Sequence, residues 1–482
     1  MTQIKTLKNT WYYLLSSLLG NFISMLALPI YASYLTTEEF GLFALSQSYS
    51  LILIGISNFG LTIGFERNFF ENTNPTDRAT LLYSTLVFVF STFIISIFTT
   101  FIFKDFLSKV ILGTPKHSLI LILTFCSVGM TSMKTNFLLY FRNTDNAKSY
   151  FIYSFDEIAV GISISLLLVT YFHFGLIGMI LGPLISSFIF LILLFRKFLK
   201  IFPFKFDKEL LHKSLKLSFP LTPRIIFGVV ASQFDKILIS RFASLSDAGL
   251  YSIAQRIVNI ILMFMTALQN VISPIIYRYM FEVDKIIASK DIGKKLTPYF
   301  YVTIFFTLII SLFSEELFFL FMNDRYMSVI EFLRISSLTS FFYFFGKLPQ
   351  LTYAKKTGTI SLLTLFSLVI SIIICTPFAY YFGIQGILWG TFFANLISGS
   401  IYFIVAQRSY FIKFEYKKII TTILFLYLSF VLFKYLRYDS YPKYLVFLIK
   451  LLVSILYLYI GYKVKVYDIS IIKKYFFKKT VK

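Results

Sequence analysis

The sequence predicts an all-α polytopic membrane protein, with about fourteen transmembrane helices arranged as two parallel six-helix repeats around a central cleft plus two C-terminal helices. Three observations carry this expectation. Of 482 residues, 57% are hydrophobic and only 14% charged, and apolar runs of roughly 20 residues, long enough for one crossing, recur from end to end. Lys and Arg gather in alternate short segments between those runs. The first half of the chain is also echoed in the second at a fixed offset.

The echo sets the domain organisation. Gly41-Leu-Phe-Ala-Leu-Ser-Gln47 recurs as Gly249-Leu-Tyr-Ser-Ile-Ala-Gln255, and Phe174-Gly-Leu-Ile-Gly-Met-Ile-Leu-Gly182 recurs as Phe382-Gly-Ile-Gln-Gly-Ile-Leu-Trp-Gly390. Both matches, and Lys148 with Lys356, are displaced by 208 residues. Glycine-anchored matches in one register mark two copies of a unit. The expected division is 1–200 and 201–410 for two six-helix bundles, 411–463 for two further spans, and 464–482 for a basic tail.

Taken in order, Lys5 and Lys8 precede an apolar run from Trp11 to Ser33. It is too long for a signal peptide and lacks a small-residue cleavage site, so it reads as a retained first helix, bent near Pro29. Five more spans complete the first copy: Leu42 to Ile63, Leu81 to Phe103, Ser118 to Phe141, Phe151 to Tyr171 and Phe174 to Phe195. The second copy supplies Leu217 to Ser240, Gly249 to Ile276, Tyr299 to Met322, Met327 to Gly346, Ile360 to Phe382 and Ile384 to Ala406. Ile419 to Leu436 and Tyr444 to Tyr462 have no counterpart in the repeat, and with Lys450 as their one buried basic residue they read as peripheral.

With these boundaries about 32 Lys and Arg fall on the side shared by both termini and about 8 on the other. The heavy segments are Arg196 to Lys216, Arg278 to Lys295, Arg408 to Lys418 and Lys463 to Lys482. Both termini are therefore expected in the cytoplasm. Six spans per copy is an even number, so the copies enter the membrane in the same direction. The longest outward loop, Lys104 to His117, is too short to hold the catalytic domain of an external glycosyltransferase or polymerase.

A net charge of +23 would suggest nucleic acid in a soluble protein. Here the charge sits in inter-span loops, and in the tail it suits anionic inner-leaflet lipid, at about 1 kcal/mol per basic residue near the surface. The 60 Phe and 33 Tyr fit lipid-facing helices and interface belts or simple compositional bias. Cys126 and Cys375 lie in apolar spans and read as buried free thiols, with neither a disulfide nor a metal site implied. His117, His173 and His212 stand apart beside loops and receive no role. The chain has no Gly-Lys-Ser/Thr phosphate loop, and no cofactor is implied.

The informative residues are charges inside spans. An Arg at mid-membrane costs roughly 2.5 to 3.5 kcal/mol on insertion scales, which marks intramembrane ionisable residues as functional candidates. At 100° per residue, Arg224, Gly228, Ala231 and Asp235 fall within about 60° of each other. Ser252, Arg256, Asn259, Met263, Thr266 and Asn270 share one side of the next helix. Lys134 sits near the middle of the fourth span with Ser127 and Thr131 on its face. Each basic residue has two readings, an anion contact in a hydrated cavity or an internal ion pair, with Asp235 an available partner for one of the arginines or a coupling residue. For Lys134 the cavity reading is preferred. Glu66, Arg67 and Glu71 read as a solvated loop after the second span, with Arg67 the member facing a cleft entrance. Glu331 and Arg334, one turn apart, read as an interfacial ion pair.

The stretch Phe219-Pro220 … Asp235-Lys236 … Arg241 … Gly249-Leu-Tyr … Ala254-Gln-Arg256, with the opening Asn9-Thr10 … Pro29 … Gly41-Leu-Phe, resembles the polysaccharide-biosynthesis branch of the multidrug/oligosaccharidyl-lipid/polysaccharide exporter superfamily, which includes the O-antigen flippases. The resemblance runs from Lys8 to about Arg408. It implies a non-enzymatic flippase in the bacterial inner membrane that moves an undecaprenyl-diphosphate-linked oligosaccharide, an O-antigen (lipopolysaccharide) or capsule repeat unit. The implied partners are that substrate, membrane lipids, and the polymerase and assembly proteins of the same glycan, and nucleic acid is not among them. On this reading Lys134, Arg224, Arg256 and Arg67 supply cations and Asn259 a sugar contact. Guanidinium suits phosphate well. A drug or metabolite antiporter of the same superfamily would be expected to rely on an acidic cavity instead. A membrane glycosyltransferase or polymerase is the rival from another class.

Overall fold

A computed structural model describes residues 2–466 apart from 73, 323, 341, 343–348 and 436–441. Among the described residues every regular element is a helix. Hydrocarbon offers no hydrogen bonds, so a spanning backbone must satisfy its own. The elements are α1 (Thr2–Tyr34), α2 (Thr37–Ser57), α3 (Leu61–Glu71), α4 (Pro75–Ile102), α5 (Lys104–Leu112), α6 (Ser118–Asn143), α7 (Ala147–Thr170), α8 (Gly175–Ile201), α9 (Lys208–Ser218) and α10 (Thr222–Phe242). They continue as α11 (Leu245–Glu282), α12 (Lys285–Leu312), α13 (Ser314–Phe321), α14 (Val329–Thr339), α15 (Gln350–Tyr353), α16 (Thr357–Ser409), α17 (Tyr416–Tyr435) and α18 (Lys443–Lys463).

Eleven helices among the described residues are long and apolar enough to cross a membrane, rather than fourteen. The three others are traceable. α16 is one of the eleven but holds two expected spans, broken at Gly383 (φ 55°, ψ −135°) where the sequence divides them. α10 carries Arg224, Asp235, Lys236 and Arg241. α14 stops at Thr339, and most of the remainder of the expected span to Gly346 lies outside the described residues, as do 467–482 of the basic tail.

Local sequence explains the boundaries. Thr36 and Glu39 form a reciprocal capping box that starts α2. Asn74 caps α4 with Pro75 at its first position, and Asp207 and Asp284 cap α9 and α12. The second span ends at Ser57, not Ile63: Gly60 at φ 61° turns the chain into α3, so Glu66, Arg67 and Glu71 stand on a short helix instead of a loop. The outward loop after α4 also contains a helix, α5, which Gly113 ends at φ 82°. Cys126 and Cys375 are free thiols.

Contacts divide the chain into two compact units. The first comprises Met1–Ile253, Phe321–Met327 and Thr364–Ile387. Its core joins α3, α4, α6 and α8 through Phe65, Phe69, Tyr83, Phe137 and Phe198. α7 and α8 form a hairpin that small residues bring close: a Cβ on Gly182 would lie 2.4 Å from the Gly161 carbonyl oxygen. Gly175, which opens α8, and Gly383, its counterpart 208 residues on, both have positive φ. The duplicated glycine thus serves one conformational need in both copies.

The second unit comprises Ala254–Leu320, Ser328–Leu363 and Leu388–Lys482. The largely buried α12 packs against α14, α17 and α18. The two C-terminal helices thus pack on α12, while most of their residues are not buried. Tyr457 Oη donates to the Tyr301 carbonyl at 2.9 Å, and the Tyr301 hydroxyl donates back to the Tyr457 carbonyl. Lys450, fully buried, reaches Glu316 at 2.8 Å and Glu315 at 3.5 Å. Arg334 joins this network through Glu315 at 2.5 Å while Glu331 stays exposed, so the expected pairing within one helix gives way to one across helices.

This network predicts that Lys450→Ala destabilises the protein, because Glu316 loses its partner, by on the order of 3 kcal/mol. Thermal unfolding of the purified protein in detergent would measure it. Truncation after Arg408 removes the same partner and should abolish accumulation in the membrane. Normal abundance of the truncated chain would show that α17 and α18 are dispensable after all.

Candidate functional site

Lys134 is the clearest case of an intramembrane charge. It stands on α6, 3% exposed, and forms a buried ion pair with Glu157 of α7. Ser187 of α8 donates to the second carboxylate oxygen at 2.7 Å, and Ser187 and Thr131 hydroxyls lie 2.8 Å apart. Ser186 donates to the Glu157 carbonyl at 2.6 Å. Three helices thus enclose one ion pair and satisfy its remaining lone pairs. The cavity reading of Lys134 is replaced by the internal pair. Glu157 was the missed residue, though a carboxylate inside the span that follows a lysine-bearing span was visible in the sequence.

Arg224 differs. It is half-buried on α10, and among the described residues it makes no ion pair. Eleven residues at 1.5 Å each put Asp235 about 16 Å away along the helix, so Asp235 does not neutralise it. The Asp235 carboxylate accepts from the Tyr251 hydroxyl at 3.0 Å. On α11, Ser252 is buried and donates to the Gly249 carbonyl. Arg256 is half-buried, and Asn259 and Thr266 are exposed. The Asn270 side chain lies outside the described residues. Arg67 is exposed on α3 without an ion pair among the described residues, whereas its neighbour Glu66 holds Arg142 at 2.7 Å.

The duplicated motif has a second role that its sequence did not announce. Within the first unit the turn between α1 and α2 packs against the start of α11, and the glycines that anchor the repeat meet. A Cβ on Gly249 would lie 2.2 Å from the Thr37 carbonyl oxygen and 2.7 Å from the Gly41 nitrogen. One on Gly41 would lie 2.0 Å from the Leu245 carbonyl oxygen. Only hydrogen fits at either place. Around this contact Ser246 donates to the Thr37 hydroxyl at 2.7 Å, Ser48 to Gln233 at 2.9 Å, and Tyr326 to the Leu35 carbonyl at 2.6 Å. Burial pushes the Tyr326 phenol up to about 12, so it remains a donor throughout the physiological range.

Comparison with known families decides the classification: residues 6–280, more than half of the chain, match the family described as polysaccharide biosynthesis protein. The chain belongs to that family. No curated protein matches this polysaccharide biosynthesis protein. Among solved structures it resembles the lipid II flippase MurJ in an inward closed conformation, with TM-score 0.69, 14% identity and coverage of 94% of this chain and 99% of that one. It also resembles an inward-facing multidrug resistance MATE family transporter of the MOP superfamily, with TM-score 0.60, 15% identity and coverage of 83% and 94%. A Vibrio cholerae MATE transporter gives TM-score 0.56 at 13% identity, covering 84% and 96%. At such identities the likeness establishes a shared fold.

The buried pair makes a separable prediction. Lys134→Met should destabilise the polysaccharide biosynthesis protein by about 3–5 kcal/mol, because Glu157 is left charged and unpaired. The double change Lys134→Met with Glu157→Leu should recover most of that stability. Thermal unfolding and membrane abundance would check the first part. A double variant no more stable than Lys134→Met would show that the unpaired carboxylate is not the cause of the loss.

Proposed function

We propose that this protein is a flippase that carries an undecaprenyl-diphosphate-linked oligosaccharide, an O-antigen or capsule repeat unit, from the inner to the outer leaflet of the bacterial inner membrane. The observation that carries this reading is Arg224, an intramembrane guanidinium without an ion pair among the described residues, within the segment matched by the polysaccharide biosynthesis family. A diphosphate needs fixed cations in a hydrated path, and guanidinium binds it in bidentate geometry. Arg256 supplies a second cation and Asn259 a hydrogen-bonding group for sugar. The buried carboxylate Glu157 is already held by Lys134, which disfavours an antiporter built on an acidic cavity. The similarity in fold to MurJ, a lipid II flippase, supports the choice of a lipid-linked cargo.

On this reading both termini are cytoplasmic and the Gly41–Gly249 contact is the outer gate. Alternating access requires two arrangements of the same helices, and a glycine contact stabilised by a few hydroxyl bonds can close tightly without a large barrier to parting. An ion gradient or removal of substrate outside would drive the cycle.

Arg224→Ala and Arg256→Ala should each reduce transport on the order of tenfold or more with membrane abundance near wild type, and Lys at either position should restore only part. Lipid-linked glycan accumulating on the cytoplasmic leaflet is the readout. Full transport by both Ala variants would exclude the cation role.

The gate has its own test, in a Cys126→Ser, Cys375→Ser background. A disulfide between Thr37→Cys and Ser246→Cys should stop transport, and reductant should restore it. An impermeant thiol reagent added outside should label Ser246→Cys alone. Labelling only from the cytoplasmic side would invert the topology.

A further inference from the structure

A recess of about 730 Å³ opens beside the glycine contact, bounded by α2, α5 and α10. Its walls are apolar, with Leu45, Ile52, Val110 and Ile237 among them, and two cations, Lys109 and Arg241, stand on its lining. Both are exposed, and among the described residues neither makes an ion pair. Asp105, one turn before Lys109 on the same helix, does not neutralise it.

The depth of these cations follows from α5. The helix begins two residues after the last turn of the spanning helix α4, and Phe101, Phe103, Phe106 and Val110 are all more than half exposed. The Lys104 ammonium lies over the Phe101 ring at 5.2 Å. On α5 the exposed Phe106 and Val110 share one side of the helix and the exposed Lys109 flanks them, and a short helix that presents bulky apolar residues beside a lysine lies at the boundary between headgroups and acyl chains. Arg241, in the last turn of α10, flanks the same recess. The two cations are therefore at phosphate level, and the apolar walls of the recess are at chain level.

We propose that this recess binds an anionic membrane lipid, with Lys109 and Arg241 holding its phosphate and one chain lying along α2 and α10. A lone interfacial lysine touches passing headgroups, whereas two cations on the lining of one apolar recess make a saturable site. Leu245 also lines the recess, and its carbonyl oxygen is the atom that a Cβ on Gly41 would meet. The binding claim stands independently of the transported cargo, and the flippase reading supplies only the leaflet, the outer one.

The test uses the full-length protein purified in detergent, with native mass spectrometry of added phosphatidylglycerol against phosphatidylcholine. The wild type should retain phosphatidylglycerol at least fivefold better. Lys109→Gln with Arg241→Gln should weaken retention at least tenfold and erase the preference, while Lys104→Gln with Lys116→Gln, cations off the recess, should leave both unchanged. Val110→Trp, a change at an exposed position that fills the recess, should lower retention with the cations intact and covers the case in which the double variant fails to fold. Equal retention by wild type and the Lys109, Arg241 variant, or an equal loss in the Lys104, Lys116 variant, would overturn the proposal. Because binding is read without transport, a failed cargo assignment leaves this outcome interpretable.

Discussion

Charge in hydrocarbon must be met by opposite charge or by water, and much of this protein's internal architecture follows from how each buried ion is met. Lys134 and Glu157 answer one another inside the hairpin region of α6, α7 and α8, with serine hydroxyls completing the carboxylate's bonds. Lys450 is met by Glu316 and Glu315, and Arg334 by Glu315. These two networks fasten helices that lack a hydrophobic reason to associate in lipid, where the tails are as apolar as the side chains. Arg224 is left outside such pairing among the described residues, and its half-buried position calls for water or a ligand.

The second constraint is closeness. Helices surrounded by lipid gain by van der Waals packing, which small residues make possible. Gly161 and Gly182 join α7 to α8, and Gly41 and Gly249 join the starts of α2 and α11 with no room for a methyl group. The first of these contacts lies beside the satisfied ion pair and builds a rigid wall. The second has single hydroxyl bonds near it, at 2.7 and 2.9 Å. The glycines on both faces of that contact belong to the two sequence stretches that match at an offset of 208 residues.

Several features were legible from residues alone. Apolar run length fixed the helices, since a membrane-spanning backbone has few alternatives. The offset of 208 located Gly383 as the break in α16, because the same left-handed backbone is needed at Gly175. The intramembrane charges were visible as charges. Their partners were not: Glu157 was overlooked for Lys134, Glu331 was preferred to Glu315 for Arg334, and the contacts of Lys450 and Tyr457 within the second unit were not visible.

Local sequence thus determined helix identity, caps, the repeat and the presence of costly buried charge, all of which depend on neighbours within a few residues along the chain. Tertiary structure decided which charge meets which, and that the repeated glycines touch one another. Those pairings join residues 23 positions apart for Lys134 and Glu157, 134 for Lys450 and Glu316, and 208 for Gly41 and Gly249. Helical periodicity gives the face on which a side chain lies but not the helix opposite it, so such pairs exist only once the helices have packed.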